Sequence, residues 1–266
     1  MSKTLEKGTA GVNGQLWGFR GRDWAEVQEG QFAPAFHAVL AHAKVGADTR
    51  HLDAGCGAGM AAALSASLGA SVCGLDASEA LLDIARERTP GGDFRQGDLE
   101  ALPFEDNSFD VVTGFNSFQY AGDATQALRE AGRVTRPGGW VVIMTWGEPE
   151  GMEAAGHVAA LKPLMPPPPP GAGGPFALSD ETALRGFAEA GGLTPVELRD
   201  VESPWHYPDL ATARRGMASS GVAVRAAQHS GEDALMAAMD GFLKPFERQD
   251  GTIGFGARAR YLVATV

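Results

Sequence analysis

The chain has 266 residues, 44% of them apolar, and a formal net charge of -11, material enough for one large domain, or a domain with an inserted lid, and its core. That acidic balance argues against a protein that grips nucleic acid or an anionic membrane through a broad basic surface. No run of 18 apolar residues offers a membrane span, the N-terminal "MSKTLEKGTAGVNGQ" lacks the apolar centre of a signal peptide, and Cys56 and Cys73 form no metal-like pair, so the expected address is a reducing cytoplasm with both thiols buried.

In chain order, "GQLWGFRGRDWAEVQEG" (14–30) sets Trp17 and Trp24 seven residues apart, on one face if helical, with Arg20 and Arg22 between them. The segment suits either a helix packed on a sheet edge or a cap over a site. Phe32, Phe36, Val39, Leu40 and Ala43 recur at helical spacing and predict a helix over 31–44. Short apolar strands (49–53, 71–75, 93–96, 109–115 and 140–146) then alternate with helices. The helices are 60–68, one that follows the N-cap residue Ser78 with Leu81, Ile84 and Ala85 on one face, and 123–135. Pro90-Gly91-Gly92 stops the second of these and "RPGG" (136–139) breaks the third. Strands joined through helices are crossovers, so the fold class is α/β with a doubly wound, mostly parallel sheet. Beyond 147 the rhythm changes. "MPPPPPGAGG" (165–174) reads as a stiff connector, with a docking motif as the alternative. Residues 180–190 are expected to be helical, 194–205 to be a strand with alternating Val196, Leu198 and Val201, 209–248 to hold two or three helices, and "RARYLVATV" (258–266) to be a final strand.

"HLDAGCGAGM" (51–60) carries Gly55, Gly57 and Gly59 directly after an apolar strand. Glycines there let the backbone turn sharply and come close to a ligand. A phosphate loop needs a lysine followed by Ser or Thr, and a dinucleotide loop needs Gly or Ala where Met60 stands. Neither is present, and these ten residues alone leave a bare strand-to-helix turn open. Asp76, 21 positions past Gly55, ends the second strand in "GLDAS". An acid there binds the two hydroxyls of a ribose at the switch point of an open sheet, or else serves the helix start beside Ser78. Asp98 in "QGDLEALPF" follows the third strand and, as a hydrogen-bond acceptor, suits an exocyclic adenine amine.

"HLDAGCGAGM", "GLDAS", "GDLEALPFEDNSFDVVTGFNSFQY" and "ALREAGRVTRPGGWVVIMTW" resemble, in order over roughly residues 45–147, successive motifs of class I S-adenosylmethionine-dependent methyltransferases. The nearest likeness is the small-molecule branch similar to ubiquinone and menaquinone biosynthesis enzymes. The resemblance implies a seven-stranded sheet whose last strand is antiparallel, inserted between its predecessor and the fifth strand, plus an inserted helical lid. It also implies S-adenosylmethionine as cofactor, with Asp53, Gly55 and Gly57 at the methionine end, Asp76 on the ribose and Ala77 beside the adenine. Asp98 and Leu99 hold the adenine, and Phe115, Asn116 and Ser117 line the pocket after the fourth strand. A ligand whose reactive end carries a sulfonium and an ammonium tolerates an acidic entrance and needs no phosphate cradle. If the N-terminal segment is a cap, Trp17 closes over the cofactor and Arg22 meets the methionine carboxylate through a charge-assisted hydrogen bond.

The expected reaction is in-line methyl displacement onto the O, N or C atom of a small or medium organic acceptor, aided by alignment and exclusion of water. Neither a metal nor nucleic acid is expected as a partner: no acid cluster suits a metal, and "NSFQY" lacks the Asn/Asp-Pro-Pro-aromatic cluster of many amino-directed DNA methylases. No catalytic residue is assigned; His37, His42, His157, His206, His229, Glu153 and Tyr120 are conceivable bases, each with a structural role as the weightier alternative. The expected organisation is a cap over 1–44, a cofactor-binding core over 45–147, and a C-terminal part over 148–266 whose insertions, 148–178 and 207–250, wall an apolar acceptor pocket. The main alternative is a non-catalytic S-adenosylmethionine-binding or scaffold protein of the same fold. An NAD-dependent oxidoreductase ranks below both because Met60 breaks its glycine spacing.

Overall fold

The computed structural model describes residues 9–167 and 174–266. Residues 1–8 of the expected cap and most of the expected proline-rich connector, 168–173, lie outside the described residues. The described residues start with helices: α1 (Ala10–Gly18), then α2 (Gly21–Asp23), which runs through a π-helical turn (Trp24–Gln28) and a 3₁₀ turn (Glu29–Phe32) into α3 (Ala33–His42). The alternation follows as β1 (Arg50–Ala54), α4 (Met60–Ser67), β2 (Ser71–Asp76), α5 (Glu79–Arg88), β3 (Asp93–Gln96), β4 (Phe109–Phe115), α6 (Ala124–Val134) and β5 (Thr135–Trp146). Ser78 caps α5 by accepting the Leu81 amide at 3.4 Å, and Asp123 caps α6 by accepting the Gln126 amide at 2.9 Å.

One expected boundary moves. β5 begins at Thr135 rather than at residue 140. Thr135 Oγ1 donates to the Ala131 carbonyl at 2.7 Å where α6 ends. Thr135 pairs with Phe109 and pairing resumes at Val111 and Trp140, so Arg-Pro-Gly-Gly bulges from within the strand.

Beyond β5 come α7 (Ala155–Leu161), α8 (Glu181–Ala190), β6 (Thr194–Glu202), β7 (Trp205–Tyr207), α9 (Leu210–Met217), α10 (Gly221–Ser230), α11 (Glu232–Leu243), β8 (Ile253–Phe255) and β9 (Arg258–Thr265). The main sheet has seven strands in the order β3-β2-β1-β4-β5-β9-β6, with β9 antiparallel to both neighbours and the first five parallel. This is the mostly parallel sheet, antiparallel at its last strand, that the motifs imply. The expected strand 194–205 splits in two. Pro204 has no amide to donate, the Ser203 amide bonds to the Ala257 carbonyl at 2.8 Å, and Trp205–Tyr207 pairs with β8 in a separate ribbon. Val196 stands 57% exposed because a register shift between Pro195 and Glu197 bulges it from the edge strand β6.

Successive side chains of a strand point to opposite faces, and two apolar layers result. Val141 and Ile143 join Leu52, Val112, Leu128 and Leu184 in a layer under α6 and α8. Val142 and Met144 join Phe36, Val39, Tyr261 and Met239 in a layer shared with α3 and the helices between 155 and 243. Phe36 and Met144 of the second layer and Leu75 of the first border the crevice described below.

Gly59 starts α4 at φ +80°, and a Cβ there would lie 2.6 Å from Ala85 Cβ and 2.9 Å from its Cα. Gly151 has a similar φ of +75° with open space around it. Alanine at either site carries the left-handed penalty of about 1–2 kcal/mol, and only Gly59→Ala adds an overpacking cost of about 1–3 kcal/mol. Urea denaturation is expected to separate the two variants by that increment. Equal losses would contradict the close packing of α4 on α5.

Candidate active site

Strand order reverses between β1 and β4, so the loops leaving their carboxyl ends diverge and open a crevice. The glycine turn on its floor is fixed by its own amides. Gly55 and Cys56 both donate to the Leu75 carbonyl (2.7 and 3.0 Å), Gly59 donates to the Cys56 carbonyl (2.9 Å), and Met60 donates to Glu29 Oε1 (3.3 Å). Gly57 donates to Asp76 Oδ2 at 2.9 Å, while Asp76 Oδ1 accepts the Ser78 amide at 2.8 Å. These five turn amides are occupied by protein acceptors, which leaves the turn poor in donors for a phosphate. Gly55 has φ +79°, and any Cβ on it would overlap Ser117 in the loop after β4. Ser117 Oγ closes that seam by donating to the Ala54 carbonyl at 2.6 Å. A carboxylate has about four acceptor sites, so Asp76, after accepting two amides, keeps capacity for a ligand. Asp98 likewise accepts the Glu100 amide through Oδ1 alone, at 3.0 Å.

A cavity of about 190 Å³ fills the crevice. Trp17, Gly55, Gly57, Asp76, Ala77, Asp98, Leu99, Phe115, Asn116 and Ser117 line it together. Two residues expected in the site are not in its wall. Asp53 is 1% exposed behind the turn, where its Oδ1 accepts from Thr113 Oγ1 at 3.1 Å. Arg22 faces outward, 60% exposed and 2.7 Å from Glu87, because neighbouring Gly21 is the residue packed against Leu81. The guanidinium that does turn inward is that of Arg88. It donates to the carbonyls of Ala58 (2.9 Å) and Ala25 (2.6 Å) and pairs with the buried Glu29. Sequence reasoning missed both partners, since the run "VQEG" and the polar end of α5 carry no mark of burial.

The N-terminal helices form the roof. Thr9 Oγ1 and Asn13 Nδ2 donate to the Tyr120 carbonyl (2.7 and 2.8 Å), and Gly14 lies flat against the Ala77 carbonyl, where a Cβ would overlap it. Trp17 meets Trp24 edge to face at 5.0 Å and Tyr120 at 5.8 Å. Farther along, Phe32, Trp146 and Trp205 pack within 5.6–5.7 Å of one another, and His157, Leu161 and Met217 complete this apolar part of the wall. Of the conceivable bases, His157 and Tyr120 line the cavity, whereas His37, His42, His206, His229 and Glu153 are not among its lining residues. Burial pushes the His157 imidazole down to about 4 and the Tyr120 phenol up to about 12.

Three carboxyl groups crowd the turn. Burial raises the pKa of Glu29 despite Arg88, and of Asp76 despite the amides it accepts. Asp53 is raised to about 7 by burial, opposed by the Thr113 hydroxyl and reinforced by repulsion from Glu29 and Asp76. Such an environment repels an anion and favours a cationic ligand.

The family model described as a methyltransferase domain matches residues 52–143, the stretch that supplies the floor of this crevice. The malonyl-[acyl-carrier protein] O-methyltransferase of Erwinia pyrifoliae is 34% identical over 183 residues, covering 69% of this chain and 66% of that protein. The demethylmenaquinone methyltransferase of Renibacterium salmoninarum is 40% identical over 100 residues, 38% of this chain and 42% of that protein. The matches to these two and to similar relatives thus span from 40% to 66% of the relatives' own lengths. Among solved structures, the YcgJ protein of Bacillus subtilis (TM-score 0.57, 23% identity, 86% of this chain and 97% of that one) shares the fold. So does the [4+2]-cyclase SpnF (TM-score 0.56, 22% identity, 87% and 80%). Among the described residues no helix is long and apolar enough to cross a membrane.

The raised Asp53 has a consequence for stability. With a pKa of 3.8 in the unfolded chain and about 7 when folded, the folded state keeps a proton that the unfolded state releases. Its contribution is fully present below the lower value and is lost as pH rises toward 7, a change of roughly 4 kcal/mol at most. Urea denaturation between pH 4 and 7.5 is expected to show wild-type stability falling more steeply than that of Asp53→Asn. Parallel slopes would mean that Asp53 ionises as an ordinary carboxyl group.

Proposed function

Residues 52–143 of this chain belong to the methyltransferase domain family, and on that premise we propose that the protein binds S-adenosylmethionine in the crevice and transfers its methyl group to a small or medium organic acceptor. The observation that carries this reading is the convergence of three separate motifs, the glycine turn, Asp76 and Asp98, on one cavity. The free acceptor capacity of Asp76 and Asp98 suits the cofactor. In this reading Asp76 accepts hydrogen bonds from the ribose hydroxyls and Asp98 from the adenine amine, with Ala77 and Leu99 beside the ring. Phe115, Asn116 and Ser117 form the wall toward the reacting end, and Gly55 and Gly57 keep the floor free of side chains. Bound S-adenosylmethionine supplies an electrophilic methyl carbon on a sulfonium with a neutral leaving group. Glu29 and Asp76 favour that cationic end by charge, and Asp53, behind the turn, adds to it only once its proton is lost. Arg22, paired with Glu87 at the surface, has no direct part.

The same reading divides the chain into a cap over 1–44, a cofactor-binding core over 45–147, and a C-terminal part over 148–266 that completes the sheet and walls the acceptor. The aromatic walls align the acceptor and exclude water, the chain's main contributions to a displacement of this kind.

Calorimetry tests the cofactor directly. S-adenosylmethionine and S-adenosylhomocysteine are expected to bind and NADH is not, because the turn amides that would hold a pyrophosphate are already taken. NADH binding without either nucleoside would sink the proposal. Asp76→Ala is expected to weaken binding by about 1.5–3 kcal/mol, and by more than Asp98→Asn does, with circular dichroism unchanged for the latter.

The cap makes a second test. Entry of a ligand requires α1 to part from Tyr120 and Ala77, and closure then excludes water. Hydrogen exchange over residues 10–28 is expected to slow on adding S-adenosylhomocysteine by more than exchange in 140–146. Exchange that is already slow and indifferent to ligand would make this segment fixed scaffold.

A further inference from the structure

A buried chain of polar side chains runs from behind the glycine turn into the sheet. Asp53 Oδ1 and Thr113 Oγ1 lie 3.1 Å apart, Thr113 Oγ1 and His51 Nε2 2.9 Å, and His51 Nδ1 and Ser65 Oγ 2.9 Å. The chain ties β1 and β4 to α4, and none of its four residues is more than 1% exposed. His157 leaves its Nδ1 without a partner among the described residues, whereas His51 uses both ring nitrogens. Burial holds the His51 imidazole down at about 4, so the ring is neutral near pH 7.

A neutral imidazole donates through one nitrogen and accepts through the other, and a hydroxyl does both. The three bonds therefore run in one direction together, and two directions exist. With Asp53 ionised, Ser65 donates to Nδ1, Nε2 donates to Thr113, and Thr113 donates to the carboxylate. With Asp53 protonated, its O–H finds Thr113 Oγ1 as the side-chain partner among the described residues. Thr113 then donates to Nε2 and Nδ1 donates to Ser65, whose own proton turns to a carbonyl of the preceding helical turn. One proton on Asp53 thus reverses three hydrogen bonds and changes the tautomer of His51. The groups facing Asp53 decide which direction holds. Glu29 and Asp76 repel its charge, Arg88 is engaged by Glu29, and burial keeps the Cys56 thiol of the turn protonated. Asp76 lies in the cavity wall, so charge in the crevice reaches the chain.

Resting on the methyltransferase reading, we infer that Asp53, Thr113, His51 and Ser65 form a proton switch set by the charge on the cofactor's sulfur, Asp53 giving its proton to water when the sulfonium enters and taking one back when the crevice holds the neutral thioether. The Asp53 O–H bond breaks with its electron pair left on the carboxylate, and His51 exchanges a proton on Nδ1 for one on Nε2. Protonation after transfer keeps the crevice floor from facing the product with an unmatched carboxylate.

Calorimetry in buffers of different ionisation enthalpy counts the protons, and nitrogen-15 spectra report the His51 tautomer. Near pH 7, S-adenosylmethionine is expected to release about half a proton more than S-adenosylhomocysteine, because Asp53 titrates at about 7 in the folded protein. Asp53→Asn is expected to remove that share of the difference, leaving whatever the nucleoside amines exchange. In ligand-free wild type, His51 is expected to pass from the Nδ1–H to the Nε2–H form between about pH 5.5 and about pH 8.5 without becoming charged. S-adenosylmethionine brings on the Nε2–H form at the acidic end of that range and S-adenosylhomocysteine does not. Thr113→Val is expected to abolish the tautomer change while the proton count persists. A proton difference that Asp53→Asn leaves unchanged, equal counts for the two nucleosides, or a single His51 tautomer across that range overturns the inference. The tautomer is read in wild type, so it decides the matter even if a variant fails to fold. Failure of both nucleosides to bind overturns the methyltransferase reading and this inference with it; their binding with equal counts overturns this inference alone.

Discussion

The carboxylate of Asp76 accepts the amides of Gly57 and Ser78 at once, and that pair of hydrogen bonds fixes the glycine turn against the start of α5. The rest of the site is built outward from it. With the turn held there, Gly55 and Cys56 reach the Leu75 carbonyl and Gly59 presses on Ala85, so α4 and α5 leave the sheet side by side. Ser117 can then close over Gly55 and join the loops after β1 and β4. The arrangement has a chemical price: amides spent on protein acceptors are not available to an anion. A glycine-rich turn between a strand and a helix is therefore not by itself a phosphate site, and here the bonding pattern of its amides separates the two uses where the glycine spacing only hinted at the difference.

Burying three carboxyl groups around one turn costs stability that a fold recovers only through partners for them. Arg88 supplies part of it to Glu29, and two backbone amides supply part of it to Asp76. Asp53 has only the Thr113 hydroxyl. Strain of this kind persists where a function requires it, and a cation entering the crevice would relieve all three groups together. The electrostatics of the cavity and the charge of the proposed cofactor are two sides of the same constraint.

What the sequence made legible was the part whose signals are local. The strands and helices from Arg50 to Val134 fall within a residue or two of their apolar patterns, and the glycine turn, Asp76 and Asp98 were readable because strand ends announce themselves. Features that depend on distant pairing were not readable. The ribbon of β7 and β8 joins residues about 50 positions apart. The inward turn of Arg88 depends on Glu29 being 59 residues away, and nothing in either local run distinguishes it from the outward Arg22. Residue His157 was visible only as one histidine among six, since its lack of a partner is a property of the packed chamber. β5 starts early for a similar reason: Thr135 satisfies the end of α6 and opens the strand at once, a double role no single-element pattern displays.

The roof is attached unequally to what lies beneath it. Toward the C-terminal helices it is joined by Arg20 to the Ala218 carbonyl, by Gln28 to the Tyr207 hydroxyl, and by Gln31 to the backbone of His206 in both directions. Toward the core, the Glu29 and Arg88 pair is anchored at the carbonyls of Ala25 and Ala58. Parting that pair would leave a buried carboxylate unmatched, whereas the exposed ion pairs of Arg20 and Arg22 contribute little in water. At α1 the roof is held to the core by two hydrogen bonds on the Tyr120 carbonyl, by the close approach of Gly14 to Ala77 and of Gly18 to Ser78, and by Trp17 packed with Ala58, Leu81 and Ile84. In the proposed function, opening there would expose the side of the crevice lined by Asp76 and Asp98 while Glu29 and the glycine turn stay in place. In the proposed function the cofactor's entry would thus be separable from the acceptor's chamber, whose walls at Phe32, Trp146 and Trp205 belong to the more firmly attached part of the roof, to β5 and to the β7–β8 ribbon.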